Sequence, residues 1–324
     1  MQPTRRHTLA IFAALAASAT TPPLRAQAER TLRILVGFAP GGSADTAARL
    51  LAERLGPELK QNVVVENKPG AGGRIAAVEL KNAPADGSTL MLAPIVVPVL
   101  APLVFSKLPY DAAADFAPVA HVANFQFGLS VGATHPARTV AELTAWLKAN
   151  PQQANFGSPA PGSLPHFFGV MLARASGLDL VHVPFNGGGP LMNALVGGQV
   201  GCAFDTLVDQ IELHRAGRVR IIATAGTQRS GLLPEVPTFA EAGLAGVQGS
   251  SWFALYARSG TAAAAVTSIN AAVNKALADP ALRERFAKLG LEPAGGSPAD
   301  LAALMKRDGD RWAPVVKASG FRGD

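Results

Sequence analysis

The chain has 324 residues, of which 48% are hydrophobic and 16% charged. This composition excludes a disordered chain and supplies enough apolar side chains for two cores, as a prior of about 100–200 residues per domain also suggests. Aromatic residues make up only 6%, and no basic run is long enough for a nucleic-acid-binding surface, so no nucleic-acid partner is expected.

The first 28 residues are predicted to be a cleavable secretory signal. Arg5 and Arg6 precede an apolar run at residues 9–17, and a small-x-small cleavage site follows at residues 26–28. The run is shorter than the ~20 residues that a membrane-spanning helix needs. The paired arginines are typical of twin-arginine signals, but a general secretory signal that carries two arginines fits equally well. Because three arginines lie before the cut and no acidic residue does, the formal charge falls from +6 to +3 in the mature chain.

Strands and helices are predicted to alternate after the signal. Apolar runs of strand length are followed by segments with apolar residues at helical spacing, which indicates βαβ units and a parallel sheet. A first unit covers residues 32–93 and a second starts near residue 130. The predicted strands are 32–38, 63–65, 89–93, 155–158, 180–184, 200–204, 219–225 and 251–256. The predicted helices are 43–59, 74–81, 139–149, 165–176, 190–196, 207–215, 262–277, 281–289 and 298–318.

The order of these units predicts two α/β domains joined by a hinge. The second unit is inserted between the first unit and a helical tail, so the chain crosses twice, near residues 126–131 and 250–256. Domain 1 would comprise residues 29–128 plus 250–324, and domain 2 residues 129–249. Two such crossings allow the domains to close around a ligand.

Four glycine- or serine-rich turns each follow a predicted strand and precede a helix, at residues 38–45, 69–73, 157–163 and 184–190. In a parallel sheet such turns lie at one edge, where ligands bind. Each presents unpaired N–H groups at the positive end of a helix, which favours an anion such as a carboxylate, and glycine allows close approach. Any single turn is better explained by turn geometry alone, but four turns in two units favour a ligand site. They contribute Pro40, Gly72, Gly73 and Gly187 to the candidate residues.

Three further polar residues in or near these turns are candidates with open alternatives. His166 either donates to a ligand or packs against a loop, and Asp45 either orients Ser43 or, as favoured, caps its helix. Asp205 follows a buried apolar run and either meets the ligand or caps the next helix. Cys202 is predicted to be a buried structural cysteine. Because nucleotide-binding, hydrolase and metal motifs are absent or incomplete, no catalytic residue, cofactor or metal is predicted.

Several longer segments resemble one family. FAPGGSAD at residues 38–45, VVENKPGAGG at 64–73, PADGSTL at 84–90 and LPEVPT at 233–238 resemble segments of the Bug-type, TctC-like solute receptors of tripartite tricarboxylate transporters. The likeness runs from about residue 31 to residue 320 in one order. It implies a periplasmic, monomeric protein with the two-domain type II (Venus-flytrap) binding-protein fold, which captures a small carboxylate and delivers it to a membrane permease. The positions carried over from the family are Phe38, Gly41, Gly42, Ser43, Ser158, Ser163, Asn186 and Asp205.

Three departures from the family pattern make the expected pocket less polar. The run after the third strand is APIVVP at residues 93–98, the fourth turn reads PFNG at 184–187, and residues 158–166 are rich in proline. We therefore expect an apolar or aromatic monocarboxylate rather than citrate. Two other functions stay open from the residues alone: a secreted α/β hydrolase using Ser43 or Ser158, and a sensing module that reports its ligand to a signalling partner.

Overall fold

The computed structural model describes residues 31–323, and its ten strands form a curled sheet of mixed direction. The signal peptide predicted for residues 1–28 lies outside the described residues. The strands are β1 (Thr31–Val36), β2 (Asn62–Asn67), β3 (Thr89–Pro94), β4 (Phe116–Gly132), β5 (Asn155–Ser158), β6 (Val181–Pro184), β7 (Cys202–Thr206), β8 (Val219–Thr224), β9 (Ser250–Arg258) and β10 (Leu291–Pro293).

Eleven α-helices accompany these strands within residues 31–323, and none of them is long and apolar enough to cross a membrane. They are α1 (Ser43–Leu59), α2 (Arg74–Asn82), α3 (Ala101–Val104), α4 (Ala112–Asp115), α5 (Val140–Ala149), α6 (Leu164–Ser176), α7 (Gly188–Val196), α8 (Leu207–Arg215), α9 (Ala263–Ala278), α10 (Pro280–Lys288) and α11 (Pro298–Ser319).

The N-terminal strand group consists of β1, β2, β3, β9, β10 and the first part of β4. β1 runs parallel to both β2 and β3, while β9 runs antiparallel to β3. Ile34, Leu35 and Val36 are fully buried, because a strand between parallel neighbours is covered by helices on both faces. The continuous apolar run of β1 thus forms the centre of this group.

The central strand group consists of β5, β6, β7, β8 and the last part of β4. β5 pairs in parallel with β6 and β7, while β7 and β8 each pair antiparallel with β4. Cys202 on β7 is fully buried, and burial raises the pKa of its thiol to about 12. The predicted structural role of this cysteine fits an unreactive, protonated thiol.

β4 links the two strand groups by changing its partners along its length. Residues 116–126 of β4 pair with β9, whereas residues 127–132 pair with β7 and β8. The chain returns to the N-terminal strand group where β9 begins at Ser250, after a segment of turns. The two strand groups are therefore connected by continuous extended backbone at the β4 crossing and by a segment of turns leading into β9 at the second crossing.

Several elements differ from the sequence prediction. β4 begins at Phe116, well before the predicted second unit, and β10, α3, α4 and a π-helical turn at Val96–Leu100 were not predicted. These segments are short or carry prolines and alanines, so their conformation depends on the neighbours they pack against rather than on periodicity. The helices α6 and α7 begin at Leu164 and Gly188, one and two residues earlier than predicted, which is within the usual uncertainty of helix ends.

Candidate functional site

A cavity of about 50 Å³ lies where the N-terminal strand group faces the central strand group. We call it the central cavity. Its volume is enough for a few water molecules or a compact ligand group. Its lining residues are Phe38, Gly42, Ser43, Ala44, Pro94, Ile95, Val96, Phe125, Phe127, Pro159, Ala160, Ser163, Leu164, Pro165, Gly188, Asp205, Thr206, Asp209, Ser251 and Phe253.

Four helix amino termini reach this cavity from the two strand groups. Ser43 begins α1, Leu164 begins α6 and Gly188 begins α7, while Thr206 is the N-cap of α8; all four residues line the cavity. Because the first N–H groups of a helix lack intrahelical partners and carry partial positive charge, such termini attract anions. The cavity thus combines positive backbone ends with a lining that contains no Lys, Arg or His.

Hydrogen bonds hold the first turn, residues 38–45, in a fixed conformation. The Asp45 carboxylate accepts from the Gly41 N–H at 2.9 Å, from Arg49 at 2.9 Å and from the side-chain amide of Asn67 at 2.9 Å. Although burial alone would raise it, these hydrogen bonds hold the pKa of Asp45 below its ordinary value. Asp45 is therefore an ionised residue that holds the turn before α1 through the Gly41 N–H rather than through a helix N–H, and it does not line the central cavity.

The turn that precedes α7 touches the first turn directly. Ala39 donates its N–H to the carbonyl of Asn186 at 3.3 Å, and a Cβ added at Gly187 would lie 3.3 Å from that same nitrogen. Gly187 has φ of 114°, a conformation that favours glycine. Glycine at this position therefore lets the two strand groups approach each other at the rim of the cavity.

Ser158 and His166, which are buried, form a cluster with the half-buried His182, and of the three none lines the cavity. The Ser158 hydroxyl lies 2.7 Å from His182 Nε2, and the two imidazoles stack at 3.9 Å between centroids. His166 Nδ1 accepts from the Gly162 N–H at 3.0 Å. Burial lowers the pKa of His166 to about 3 and that of His182 to about 4. Both are neutral at physiological pH. His166 does not line the central cavity and is hydrogen-bonded to the loop at Gly162.

Two carboxyl groups, of Asp205 and Asp209, lie side by side next to the α-carbon of Gly188. A Cβ added at Gly188 would lie 2.8 Å from Asp205 Oδ2 and closer still to Asp209 Oδ2. Asp205 is fully buried; part of Asp209 reaches the surface, but its carboxyl group is enclosed. Burial raises the pKa of Asp205 well above its ordinary value, and the charge of the neighbouring Asp209 raises it further.

Asp209 also bridges the two strand groups. Its carboxylate accepts hydrogen bonds from the side chain and backbone N–H of Ser43, at the start of α1, and from the Thr206 hydroxyl at 2.9 Å. Burial raises the pKa of Asp209 to about 6 although these bonds favour the ionised form. Asp205 Oδ1 accepts from the Thr206 N–H at 2.8 Å, whereas its Oδ2 has no hydrogen-bond partner among the described residues.

The remaining walls of the cavity are apolar. Phe38, Phe125, Phe127 and Phe253 contribute aromatic rings. Residues 94–96, at the end of β3, also line the cavity, so the APIVVP departure noted in the sequence lies at the site. The lining is therefore mostly apolar with a few polar side chains, as in binding pockets for small ligands generally.

The predicted site residues fall into two groups. Nine support or surround the cavity without lining it: Gly41 donates to Asp45, Gly72 and Gly73 pack against Ala160 and Phe38, and the others lie in the turns already described. The five that line it are Phe38, Gly42, Ser43, Ser163 and Asp205. The nine that do not are Pro40, Gly41, Asp45, Gly72, Gly73, Ser158, His166, Asn186 and Gly187.

Sequence reasoning missed Asp209 and Gly188. Asp209 follows Asp205 by four residues in the first turn of α8, a spacing that was visible once Asp205 had been placed at the end of a buried strand. The second predicted turn, residues 69–73, packs behind Phe38 and against Ala160, and the amino terminus of α8 lies at the cavity in its place.

Comparisons with known proteins agree with this architecture. The family model for the tripartite tricarboxylate transporter family receptor matches residues 47–321. The UPF0065 protein in the tcbD-tcbE intergenic region of Pseudomonas sp. strain P51 is 34% identical over 312 residues, covering 94% of this chain and 93% of that protein.

Solved structures of periplasmic binding proteins are similar along most of the chain. The periplasmic binding protein BugD has a TM-score of 0.87 at 31% identity, covering 91% of this chain and 99% of that one. MatC from Rhodopseudomonas palustris with bound malate has a TM-score of 0.84 at 34% identity, covering 89% and 99%. R. palustris Rpa4515 with adipate has a TM-score of 0.87 at 33% identity, covering 91% and 99%.

These matches extend over nearly the whole described chain and concern solute-binding proteins, two of which hold carboxylates. They exclude the hydrolase alternative, which also lacks a Ser–His pair in the lining of the cavity. The chain therefore belongs to the tripartite tricarboxylate transporter receptor (TctC) family, as a solute-binding protein of the two-domain type II architecture rather than an enzyme.

Proposed function

We propose that this protein is exported to the periplasm, captures a small carboxylate in the central cavity and delivers it as a monomer to a membrane permease of the tripartite tricarboxylate type. Family membership supports the transport role, and the malate- and adipate-bound relatives support a carboxylate ligand. Export would use residues 1–28, by either secretory route.

One observation carries the proposal: helix amino termini from both strand groups converge on one cavity whose lining contains no Lys, Arg or His. Backbone N–H groups at such termini can hold an acid group without a cationic side chain. No nucleophile or cofactor is required, because the proposed function is binding alone.

In this proposal the domains are residues 29–128 plus 250–324 and residues 129–249, and they close around the ligand. The change of partner along β4 between residues 126 and 127, and the start of β9 at Ser250, support hinge positions there. Phe38, Gly42, Ser43, Ser163 and Asp205 would contact the ligand, while the other predicted residues would hold the turns in place.

The apolar walls favour a monocarboxylate with an apolar body over citrate. Three carboxylates would have to be accommodated beside aromatic rings and two aspartates, with a large desolvation cost and no cationic side chain to offset it.

A thermal-shift screen of carboxylic acids tests this function. The mature protein is expected to gain several degrees in Tm with apolar monocarboxylates at saturating concentration, because a ligand that binds only the folded state raises its stability. Strong stabilisation by citrate and none by apolar acids would contradict the ligand preference. Delivery is tested separately, by ligand uptake in vesicles that contain a candidate permease with and without the protein.

A further inference from the structure

Two carboxyl groups, of Asp205 and Asp209, lie together in the lining of the central cavity, and the carboxylate function proposed above does not account for this pair. Two carboxyl groups meet there with no cationic side chain in the lining, and Asp205 Oδ2, on a fully buried residue, has no partner among the described residues. An unpaired buried acceptor is costly, because it has lost its hydrogen bonds to water. A ligand that donates hydrogen bonds would remove that cost.

The helix amino termini at the cavity differ in whether their first N–H groups already have a side-chain acceptor. Asp209 already accepts from Ser43 at the start of α1, and the Thr206 side chain accepts from the Asp209 N–H at the start of α8. By contrast, neither the N-cap of α6, Ser163, nor that of α7, Gly187, makes a side-chain cap hydrogen bond. A ligand carboxylate would therefore find free N–H groups at α6 and α7 rather than at α1.

Gly188 connects these two features. As the first residue of α7 it presents a helix amino terminus, and its α-carbon faces both carboxyl groups. One small region of the cavity thus offers positive backbone dipoles next to paired carboxyl groups. A ligand that carries a positive and a negative group a few bonds apart matches that arrangement, and the aromatic walls would enclose its apolar remainder.

We propose that the ligand is a zwitterionic amino monocarboxylate with an apolar side chain, whose ammonium group donates hydrogen bonds to Asp205 Oδ2 and Asp209. This proposal rests on the carboxylate-binding function proposed above and narrows its ligand class. The ligand carboxylate would accept N–H groups at the amino terminus of α6 or α7. The same carboxyl pair would repel a second ligand carboxylate, which disfavours dicarboxylates and citrate.

Few other titratable groups face the pair. Residues 188–196 of α7 and 127–132 of β4 carry no titratable side chain. On α1, Asp45 is paired with Arg49, and on α6 the neutral His166 is bonded to Gly162. Protons taken up or released at the cavity on binding would therefore come from the two aspartates.

Isothermal titration calorimetry with matched probes tests the proposal. Each set of probes shares one carbon skeleton: L-leucine, its desamino analogue 4-methylpentanoate and its decarboxylated analogue 3-methylbutylamine, with equivalent sets for valine and phenylalanine. We expect one of the amino acids to bind at least about tenfold more tightly than its desamino acid at pH 7.5, a difference of about 1.4 kcal/mol.

Asp205→Asn and Asp209→Asn should each abolish that preference, whereas Asp179→Asn, at an exposed carboxylate in the loop before β6, should preserve it. Circular dichroism checks that the variants fold. If an Asn variant fails to fold, the wild-type protein still decides. Burial raises the pKa of both carboxyl groups, so an incoming ammonium displaces the proton of the pair, and amino-acid binding releases protons and tightens as pH rises. A carboxylate bound against the pair would instead take protons up.

The outcomes separate the two proposals. Equal or tighter binding of the desamino acids, or an amino-acid preference that survives both Asn variants, would overturn the ammonium site and leave the carboxylate function intact. Binding of the amines as tightly as the amino acids would overturn the carboxylate function and support the ammonium site. If no probe of any set binds, both are overturned.

Discussion

At the residue scale, the closest packing in the central cavity is at Gly188. An added methyl group there would collide with Asp209 Oδ2 and lie 2.8 Å from Asp205 Oδ2, whereas the nearest atom to a methyl group at Gly189 would be the Pro40 carbonyl oxygen at 3.8 Å. Adjacent glycines in the same helix turn therefore have different tolerances, and only Gly188 touches the polar centre of the cavity.

We predict that Gly188→Ala weakens ligand binding at least about tenfold and destabilises the protein by about 1–3 kcal/mol, the usual cost of overpacking. Gly189→Ala is the matched control and should leave affinity within about threefold, since it adds the same methyl group where there is room. Calorimetry and urea unfolding measure the two effects. Equal affinities of the two variants would show that the Gly188 contact does not shape the site.

The stacked histidines give a second prediction at this scale, on pH dependence. The pKa of His182 is lowered from its model-peptide value of 6.5 to about 4 by burial, so the unfolded chain binds more protons than the folded one between these values. The unfolding free energy is therefore at its full value above pH 6.5, where the imidazole is neutral in both states, and it decreases as the pH falls from 6.5 towards 4.

We predict that His182→Gln, which keeps a hydrogen-bonding group beside Ser158 but removes the titration, makes the decline in unfolding free energy between pH 6.5 and 4 less steep. Urea unfolding of both proteins across this range measures the difference, with pH 7.5 as the reference where the histidine is neutral. Parallel pH profiles of the two proteins would contradict the assignment of a protonation-sensitive buried imidazole.

At the element scale, helix ends decide much of the local structure. Thr139 accepts from the Glu142 N–H and so caps α5, and Gly177 ends α6 with φ of 61°. α1 instead ends at Lys60, which has φ of 51° and ψ of 44°. A non-glycine residue in this left-handed conformation is strained by roughly 1 kcal/mol.

We therefore predict that Lys60→Gly stabilises the protein by about 0.5–1 kcal/mol, because glycine adopts this conformation without the Cβ clash. Ala145→Gly, at an exposed position inside α5, is the matched control and should destabilise by about 1 kcal/mol. Chemical unfolding midpoints give both values. Destabilisation by both substitutions would mean that the Lys60 side chain makes a contribution larger than its backbone strain.

At the scale of the whole molecule, the two strand groups meet through glycine-rich turns as well as through β4 and β9. A Cβ added at Gly72, in the turn before α2, would lie 3.5 Å from the Cβ of Ala160, in the turn before α6. This separation is within the range seen in disulfides, about 3.5–4.5 Å. The pair bridges the two strand groups beside the central cavity.

We predict that the double variant Gly72→Cys/Ala160→Cys forms a disulfide that holds the strand groups together and slows ligand association at least about tenfold, with recovery on reduction, because entry requires opening. Gly72→Cys alone is the control for the strain of a side chain at φ of 64°. Stopped-flow measurements with and without reductant give the rates. Unchanged association in the oxidised double variant would argue against hinge opening as the route of entry.

Sequence alone determined the local features of this protein. The apolar runs of β1 and β7 predicted buried strands, and helical spacing predicted α1 and α5. The resemblance of the sequence to one family supplied the five predicted residues that line the cavity. The strands and helices depend on backbone preferences and periodicity, which neighbouring residues in the chain largely decide.

Tertiary structure alone decided how these features meet. β4 is one strand with two sets of partners, and the turn at residues 69–73 lies behind Phe38 while Asp209 takes a place at the cavity. Whether a carboxylate at the start of a helix caps that helix or faces another one depends on the position of distant backbone. The contact of Asp209 with Ser43 joins residues far apart in the chain, and no local pattern specifies such a contact.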